Sequence, residues 1–182
     1  VPVDFCVKNP NYTNQNNGVN GEDAHFCVLS QPMNDIPITP PVYGCEVFDL
    51  TTDNDAIAIA GFGNNSDNGG FGTKRFTDTS IQAPIGPDSK AAFVGSNGKD
   101  SCSGDSGGPA YTVLDDGIWR TFGITSGGPE GCGTGGGIYV LIHAHMQWIE
   151  QASGIDITPC FDSDGTWNPT AECGNFSMDP LA

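Results

Sequence analysis

The 182-residue sequence has few basic side chains: Lys and Arg together number 6, against 22 Asp and Glu, for a formal net charge of -16. Proteins that bind nucleic acid or anionic membranes neutralise phosphates with clustered Lys and Arg. The composition therefore argues against nucleic acid and against a membrane surface as partners. Two interpretations of the acidic surface remain open. It keeps the protein in solution, or its field attracts cationic substrates.

Long hydrophobic runs are also lacking. No stretch approaches the roughly 20 apolar residues that a membrane-spanning helix needs. The N-terminus "VPVDFCVKNP" has no basic region followed by an apolar one, as a secretory signal would. We therefore expect a chain without a membrane span, with any targeting peptide outside this sequence.

The seven cysteines include no C-x-x-C pair, which argues against zinc and for disulfides formed in an oxidising compartment. They occupy positions 6, 27, 45, 102, 132, 160 and 173. Because seven is odd, either one thiol is unpaired or its partner lies outside this sequence. The cysteine pattern predicts a secreted, extracellular protein.

Short strands are the expected secondary structure, because Gly (26) and Pro (13) are abundant. Apolar runs bounded by turn residues recur as "VDFCV", "AHFCVLS", "AIAIAGFG", "AAFVG", "PAYTVL", "WRTFGITSG" and "GGIYVLI". This spacing predicts an antiparallel barrel or sandwich. One helix is predicted in "IHAHMQWIEQASG", where Ile142, Met146 and Ile149 share a face and Gly154 supplies the stop.

The stretch "GKDSCSGDSGGPA" surrounds Ser106 with glycine. Gly104 allows a tight, exposed turn, so that the amides of Gly104 and Ser106 can converge on an oxyanion beside the hydroxyl. The pattern G-x-S-x-G also matches the nucleophile elbow of α/β-hydrolases, but that fold needs a helix directly after the serine. Here two glycines, a proline and the strand-like "AYTVL" follow. The segment therefore predicts a nucleophilic serine in a loop of a β-protein.

The segment "DSCSGDSGGP" resembles the active-site segment of the trypsin/chymotrypsin family of serine endopeptidases. Similarity to the family continues in the family's order from about Val3 to Gly154, through "EDAHFCVLSQPM", "AIAIAGFG", "FGITSGGPEGCG" and "GGIYVLIHAHMQWIEQASG". The resemblance implies an all-β, trypsin-like double β-barrel with a C-terminal α-helix. We expect a partial first barrel over residues 1–40, a complete second barrel over 41–141, the helix over 142–154, and a disulfide-closed extension over 155–182.

The resemblance also assigns catalytic roles. Ser106 matches the nucleophile and Asp23 the acid that orients the catalytic histidine. The amides of Gly104 and Ser106 match the oxyanion hole. Asp105 matches the residue that pairs with a new N-terminal ammonium on activation.

Substrate-binding residues follow from the same resemblance. Asp100 matches the base of the primary specificity pocket, where an aspartate selects Arg or Lys. Gly128 and Gly137 match the pocket walls. The edge that pairs with substrate backbone is matched by Ser126, Gly127 and Gly128. Apart from the family, a lone carboxylate beneath an apolar slot is unfavourable unless a cation arrives. An ordinary loop aspartate is the alternative.

For the disulfides, the resemblance pairs Cys102 with Cys132, and we expect Cys160 to pair with Cys173. A Cys6–Cys27 bridge across neighbouring strands would leave Cys45 to reach outside the chain. The "DSDG" after Cys160 resembles a calcium loop but lacks the third acidic position and the distal Glu. We expect no metal or cofactor in catalysis, and calcium in the extension stays open.

A histidine that could act as the base is missing. His25 follows Asp23 by two residues, too close to donate a hydrogen bond to its carboxylate and also reach Ser106. His143 and His145 open the terminal helix, which in the family packs away from the cleft. We therefore expect a complementary N-terminal segment of the same protease to supply the histidine, and peptides with Arg or Lys to be substrates. The alternative is an inactive homologue that acts as a binding module.

Overall fold

The computed structural model describes residues 1–13, 18–50, 57–66, 69–129, 131–158, 160–161, 166 and 168. The strands in this part of the chain are β1 (Val3–Lys8), β2 (His25–Leu29), β3 (Ile57–Gly61), β4 (Arg75–Thr79), β5 (Ala91–Val94), β6 (Pro109–Val113), β7 (Trp119–Gly127) and β8 (Gly137–Leu141). The helical elements are two 3-10 helices, Gly44–Asp49 and Ile142–His145, and one α-helix, α1 (Met146–Ser153).

Strands β1 and β2 form a two-stranded antiparallel sheet. Cys6 lies opposite Cys27 in the register, and the two are joined by a disulfide, which confirms that pairing. A two-stranded sheet is marginally stable by itself in water. This sheet contacts α1 through Phe26, whose ring packs edge to face against the ring of Trp148 with 5.2 Å between the ring centroids.

The other six strands form one antiparallel sheet in the order β4-β3-β6-β7-β8-β5. The sheet curls until the chain beyond β4 reaches β5: Gln82 N–H donates to Phe93 O, and Gly95 N–H to Ser80 O, both at 2.9 Å. The enclosed apolar core includes Ile57, Ile59, Phe122, Tyr139 and Leu141. The expected all-β architecture with a C-terminal helix is confirmed by this curled six-stranded sheet, the second sheet and α1, and the division into barrels stays a prediction.

Two elements differ in detail from the sequence-based expectation. Strand β4 was not predicted, because its sequence RFTDT has no apolar run and Phe76 is 57% exposed. The predicted helix begins as a 3-10 turn over Ile142–His145 before α1, a common arrangement at helix N-termini. Its predicted end is correct: Gly154 has φ 72° and donates its N–H to Glu150 O at 2.8 Å.

The disulfides agree with the expectation as far as the structure describes them. Cys102 is bonded to Cys132. Cys160 is also disulfide-bonded, but its expected partner Cys173 lies outside the described residues, as does the calcium-loop-like segment 162–165. Cys45 is exposed in the first 3-10 helix.

None of the helices within the described ranges is long and apolar enough to cross a bilayer. In the same part of the chain, no group of three or more His, Cys, Asp or Glu side chains is arranged to hold a metal ion.

Candidate active site

The turn around Ser106 is fixed by backbone hydrogen bonds. Gly104 and Gly107 have φ of 93° and 81°, a left-handed conformation that favours glycine. Asp105 N–H donates to Cys102 O at 3.0 Å, and Gly108 N–H to Asp105 O at 2.8 Å. Ser106 itself is exposed. Among the described residues, no acceptor takes the N–H of Gly104 or of Ser106, so both remain available to a ligand oxygen.

Both carboxylate oxygens of Asp105 are bound by backbone amides. Oδ1 accepts from Gly63 N–H at 2.7 Å, and Oδ2 accepts from Cys102 N–H at 2.8 Å. A Cβ on Gly61 or Gly63 would collide with this carboxylate, so the two glycines are what allow it to enter. The side chain therefore anchors the turn just before Ser106. Its expected pairing with an N-terminal ammonium stays a prediction.

Asp23 meets the strand that supports the serine turn. Ser126 Oγ donates to Asp23 Oδ2 at 2.7 Å. Next to Ser126 on β7, Thr125 O accepts from Gly107 N–H at 2.9 Å, and Thr125 N–H donates to Gly108 O at 2.8 Å. Adjacent residues of one strand thus contact Asp23 and the Ser106 turn. The sequence had suggested Ser126 only as a substrate-binding residue, and a contact between residues 103 positions apart leaves no local signal.

A cavity of about 260 Å³ opens beside Ser106. Its walls include Thr125, Gly127 and Gly128 from the end of β7 and the Cys102–Cys132 disulfide. A Cβ on Gly128, which lines the cavity, would lie 3.5 Å from Gly136 O, at ordinary van der Waals distance. The structure therefore brings Ser106, the predicted substrate edge and the predicted disulfide together.

Gly137 is the first residue of β8. A Cβ there would collide with Ser101 Oγ and approach the ring of Tyr139 to 3.0 Å. Ser101 lines the Ser106 cavity. Glycine at this position therefore leaves room for Ser101, which is consistent with the predicted role in the pocket wall.

Asp100 is held by the loop that precedes β8. Its Oδ1 accepts from Gly133 N–H at 2.6 Å, and its Oδ2 accepts from the N–H groups of Gly135 and Gly136 at 3.3 and 3.1 Å. Asp100 lines a second cavity of about 230 Å³, which it shares with Asp105 and Ser101. Ser101 lies in the wall of both cavities. Asp100 is thus a neighbour of the Ser106 cavity rather than part of its lining, and its role at the base stays a prediction.

The three histidines occupy other places. His25 is exposed and packs edge-on against Tyr12 at 5.9 Å. His145 is buried, with Nε2 2.7 Å from Gly21 O. Burial lowers the pKa of His143, which favours its neutral form. In the described chain, none of the three is hydrogen-bonded to Asp23 or Ser106.

A further cavity, of about 440 Å³, lies on another side of Ser106. Phe62, Lys74 and Tyr111 line it, together with Gly104. The sequence analysis did not predict this surface, because it assigned Phe62 to the strand-like run "AIAIAGFG" and assigned no role to Lys74. The exposed residue Ser106 therefore lines two cavities.

The comparisons with known proteins agree with this geometry. A family model described as Trypsin matches residues 1–149. Vitamin K-dependent protein C of Rattus norvegicus is 29% identical over 176 residues, which cover 85% of this chain and 37% of that protein. CLIP domain-containing serine protease B4 of Anopheles gambiae is 43% identical over 58 residues, covering 31% of this chain and 16% of that protein.

A solved structure of neuropsin, a serine protease expressed in the limbic system of mouse brain, superimposes with a TM-score of 0.61. It is 26% identical in sequence, and the match covers 83% of this chain and 70% of that chain. The chain spans 37% or less of the length of the two curated relatives.

Proposed function

The chain belongs to the trypsin family of serine proteases, and from this membership we propose that it is part of an extracellular endopeptidase that cleaves after Arg or Lys. A complementary N-terminal segment of the same protease supplies the catalytic histidine. The disulfides support an oxidising compartment. The proposed reaction needs no metal or cofactor, and neither nucleic acid nor a membrane is a partner.

In the proposed reaction, Ser106 Oγ attacks the peptide carbonyl carbon while the supplied histidine takes the hydroxyl proton. Asp23 orients that histidine and stabilises its charged form. The tetrahedral oxyanion binds the N–H groups of Gly104 and Ser106, each worth about 2.7–4 kcal/mol in a preorganised site. The C–N bond then breaks, and the amine leaves with the proton from the histidine. Water hydrolyses the acyl-enzyme and restores Ser106.

The observation that carries this proposal is the link between Asp23 and the serine turn through β7. The Asp23 carboxylate is 2.7 Å from Ser126 Oγ, and the preceding residue, Thr125, is hydrogen-bonded to Gly107 and Gly108, directly after Ser106. This arrangement supports an acid and a nucleophile that act on one base between them. The exposure of Ser106 and the two unengaged amides support the same mechanism.

The two-stranded sheet leaves large apolar side chains exposed, which supports a complementary segment. Val3 and Leu29 pair in the register and so share a face, where they are 49% and 41% exposed, and Phe5, beyond a bulge, is 39% exposed. Large apolar side chains clustered on a sheet that has only two strands gain free energy when further strands cover them. We propose that the histidine-bearing segment covers this face.

Specificity for Arg or Lys is proposed to come from Asp100. A long cationic side chain that enters past Gly127 and Gly128 reaches Ser101, which separates the cavity from the Asp100 carboxylate. The carboxylate would exchange one of its amide hydrogen bonds for a charge-assisted one.

The test is Asp100→Ser in the protease assembled with its complementary segment. Cleavage after Arg and Lys should fall about a hundredfold, because a charged pair loses one partner, while cleavage after other residues persists. Asp88→Ser, which removes an exposed carboxylate elsewhere, is the matched control. Undiminished cleavage after Arg in the Asp100 variant would refute the assignment.

A binding module is the second candidate function. One observation favours it: the Asp100 carboxylate already accepts three amide hydrogen bonds and does not line the Ser106 cavity. Such a protein would hold a peptide along residues 126–128 by strand addition without cutting it. Cleavage of any peptide that is lost in Ser106→Ala would exclude this alternative.

A further inference from the structure

The loop that carries Asp23 is held at three consecutive residues by three different elements. Gly21 O lies 2.7 Å from Nε2 of His145, in the 3-10 turn before α1. Glu22 Oε1 accepts from Nζ of Lys90, just before β5, at 2.6 Å. Asp23 Oδ2 accepts from Ser126 Oγ at 2.7 Å. The loop belongs to the small sheet, but its position is set by the larger part of the molecule.

The contact to Gly21 is buried and closely packed. His145 is 5% exposed, and its ring meets Trp148 at 6.1 Å, edge to face. Gly21 has φ 70°, and a Cβ there would collide with the backbone of Lys90. A buried carbonyl that loses its donor bears the desolvation penalty in full. The backbone at Gly21 therefore depends on His145 for its position.

The contact between Lys90 and Glu22 is an ion pair. The Glu22 side chain is 13% exposed, and it also accepts from Asn9 Nδ2 at 2.8 Å. The hydrogen bond from Lys90 lowers the pKa of Glu22, so the carboxylate is ionised at neutral pH. Asn9 N–H in turn donates to Ala24 O at 2.9 Å, on the other side of Asp23. The residues on both sides of Asp23, Glu22 and Ala24, are thus held by hydrogen bonds.

We infer that His145 and Lys90 are positioning residues for Asp23, which hold its carboxylate in the orientation needed to bind the catalytic histidine. This inference rests on the proposed function. Neither residue touches the substrate or the reacting atoms; each acts on the backbone or side chain next to Asp23. Both lie far from Asp23 in sequence and come from elements with no other role in the proposed reaction.

The test compares His145→Phe, which keeps a ring against Trp148 but loses the donor, with His145→Gln, which keeps a donor for Gly21 O. In the assembled protease, His145→Phe should lower kcat about fivefold to tenfold, the size expected for one buried hydrogen bond. KM should stay within about twofold, because substrate contacts are unchanged. His145→Gln should recover most of kcat, and Lys90→Met should lower kcat by a smaller factor.

His143→Phe is the matched control, since it lies in the same turn and its ring faces Pro87 and Ser89 instead. Rates are expressed per site titrated with a phosphonate, so that a merely destabilised variant shows normal kcat. Equal kcat in His145→Phe and the control would overturn the inference.

A second measurement does not depend on cleavage. The carboxyl ¹³C resonance of Asp23, in the full chain, should shift in His145→Phe and stay in place in His143→Phe. An unmoved resonance in His145→Phe would refute the positioning role. If the parent protease cleaves no peptide, the proposed function fails, and the Asp23 resonance still decides this inference.

Discussion

The six-stranded sheet and the two-stranded sheet hold their parts of the candidate site in different ways. The Ser106 turn is bound within its own sheet, by hydrogen bonds to Thr125 and by the Asp105 anchor, over a buried apolar core. The Asp23 loop belongs to a sheet of two strands with a largely exposed surface. Its position depends on a disulfide and on contacts from outside that sheet.

The nucleophile and the acid therefore have unequal structural support. The serine turn gains order from the folding of its own barrel, whereas the acid gains it from contacts between two parts of the molecule. Disturbances at the larger sheet should therefore affect the whole protein, and disturbances at the smaller one should affect the acid first. The following changes test that contrast.

The largest effect on activity is expected from Asp23→Asn. In the assembled protease kcat should fall by a factor on the order of 10⁴, since the amide would orient the histidine in the wrong tautomer. Asp4→Asn makes the same change at an exposed position of β1 and should leave kcat unaltered. A fall of less than about tenfold in Asp23→Asn would show that another group orients the base.

The largest effect on stability is expected in the larger sheet, from Arg120→Met. Arg120 is fully buried, and its guanidinium donates to Glu46 at 3.0 and 3.2 Å and to Asp116 at 2.6 Å. Removing one partner of such a pair lowers the free energy of unfolding by about 3–5 kcal/mol. Urea unfolding of the parent and of Arg120→Met at pH 7 measures this loss.

The same variant has a defined pH dependence. Burial already raises the pKa of Glu46 above its ordinary value of 4.5, against the influence of Arg120. Without Arg120 the folded state favours protonated Glu46 more strongly than the unfolded state does. The deficit in stability should therefore be smallest where Glu46 is protonated in both folded proteins, and it should grow as the pH rises through the raised pKa of Glu46 in the parent. A deficit that is constant from pH 4 to 8 would contradict this account, and Arg120→Met with Glu46→Leu should recover most of the loss.

A smaller and more local effect is expected when the bond between Cys6 and Cys27 is removed by Ser substitution of both. The closed loop spans 21 residues, for which the chain-entropy estimate is about 3 kcal/mol. Hydrogen exchange should accelerate in β1 and β2 while β7 and β8 stay protected. Removal of the Cys102–Cys132 bond is the comparison, and it should accelerate exchange near Ser106 instead. Equal acceleration in both sheets would mean that the two parts unfold as one unit.

The smallest effect is expected from Glu22→Gln, which removes the ion pair with Lys90. Because the Lys90 side chain is 49% exposed, the loss should be at most about 1 kcal/mol. The pKa of Glu22 is lowered mainly by Lys90, so the stabilisation is present above pH 4.5 and is lost as the pH falls through the lower folded pKa. The parent and the variant should therefore converge in acid. A difference in the free energy of unfolding between the parent and Glu22→Gln that persists at pH 2 would show that the ion pair does not cause it.

Much of the fold could be predicted from the sequence because apolar runs between turn residues mark strands. Strand β4 lacked that signal, since it lies at one end of the six-stranded sheet order and its Phe76 is exposed. The Ser106 turn could be predicted because its glycines have a local conformational reason, which the φ values of Gly104 and Gly107 bear out. The Asp23–Ser126 contact and the amides around Asp100 could not, because they join distant segments and leave no periodicity.

The most direct test of the central claim is phosphonate labelling followed by mass spectrometry of the peptide that contains Ser106. The reagent is applied to this chain alone and to the chain assembled with its complementary segment. The account predicts that Ser106 is labelled only in the assembled protein, since the histidine that activates it comes from that segment. Equal labelling of the isolated chain, or none in either preparation, would contradict it.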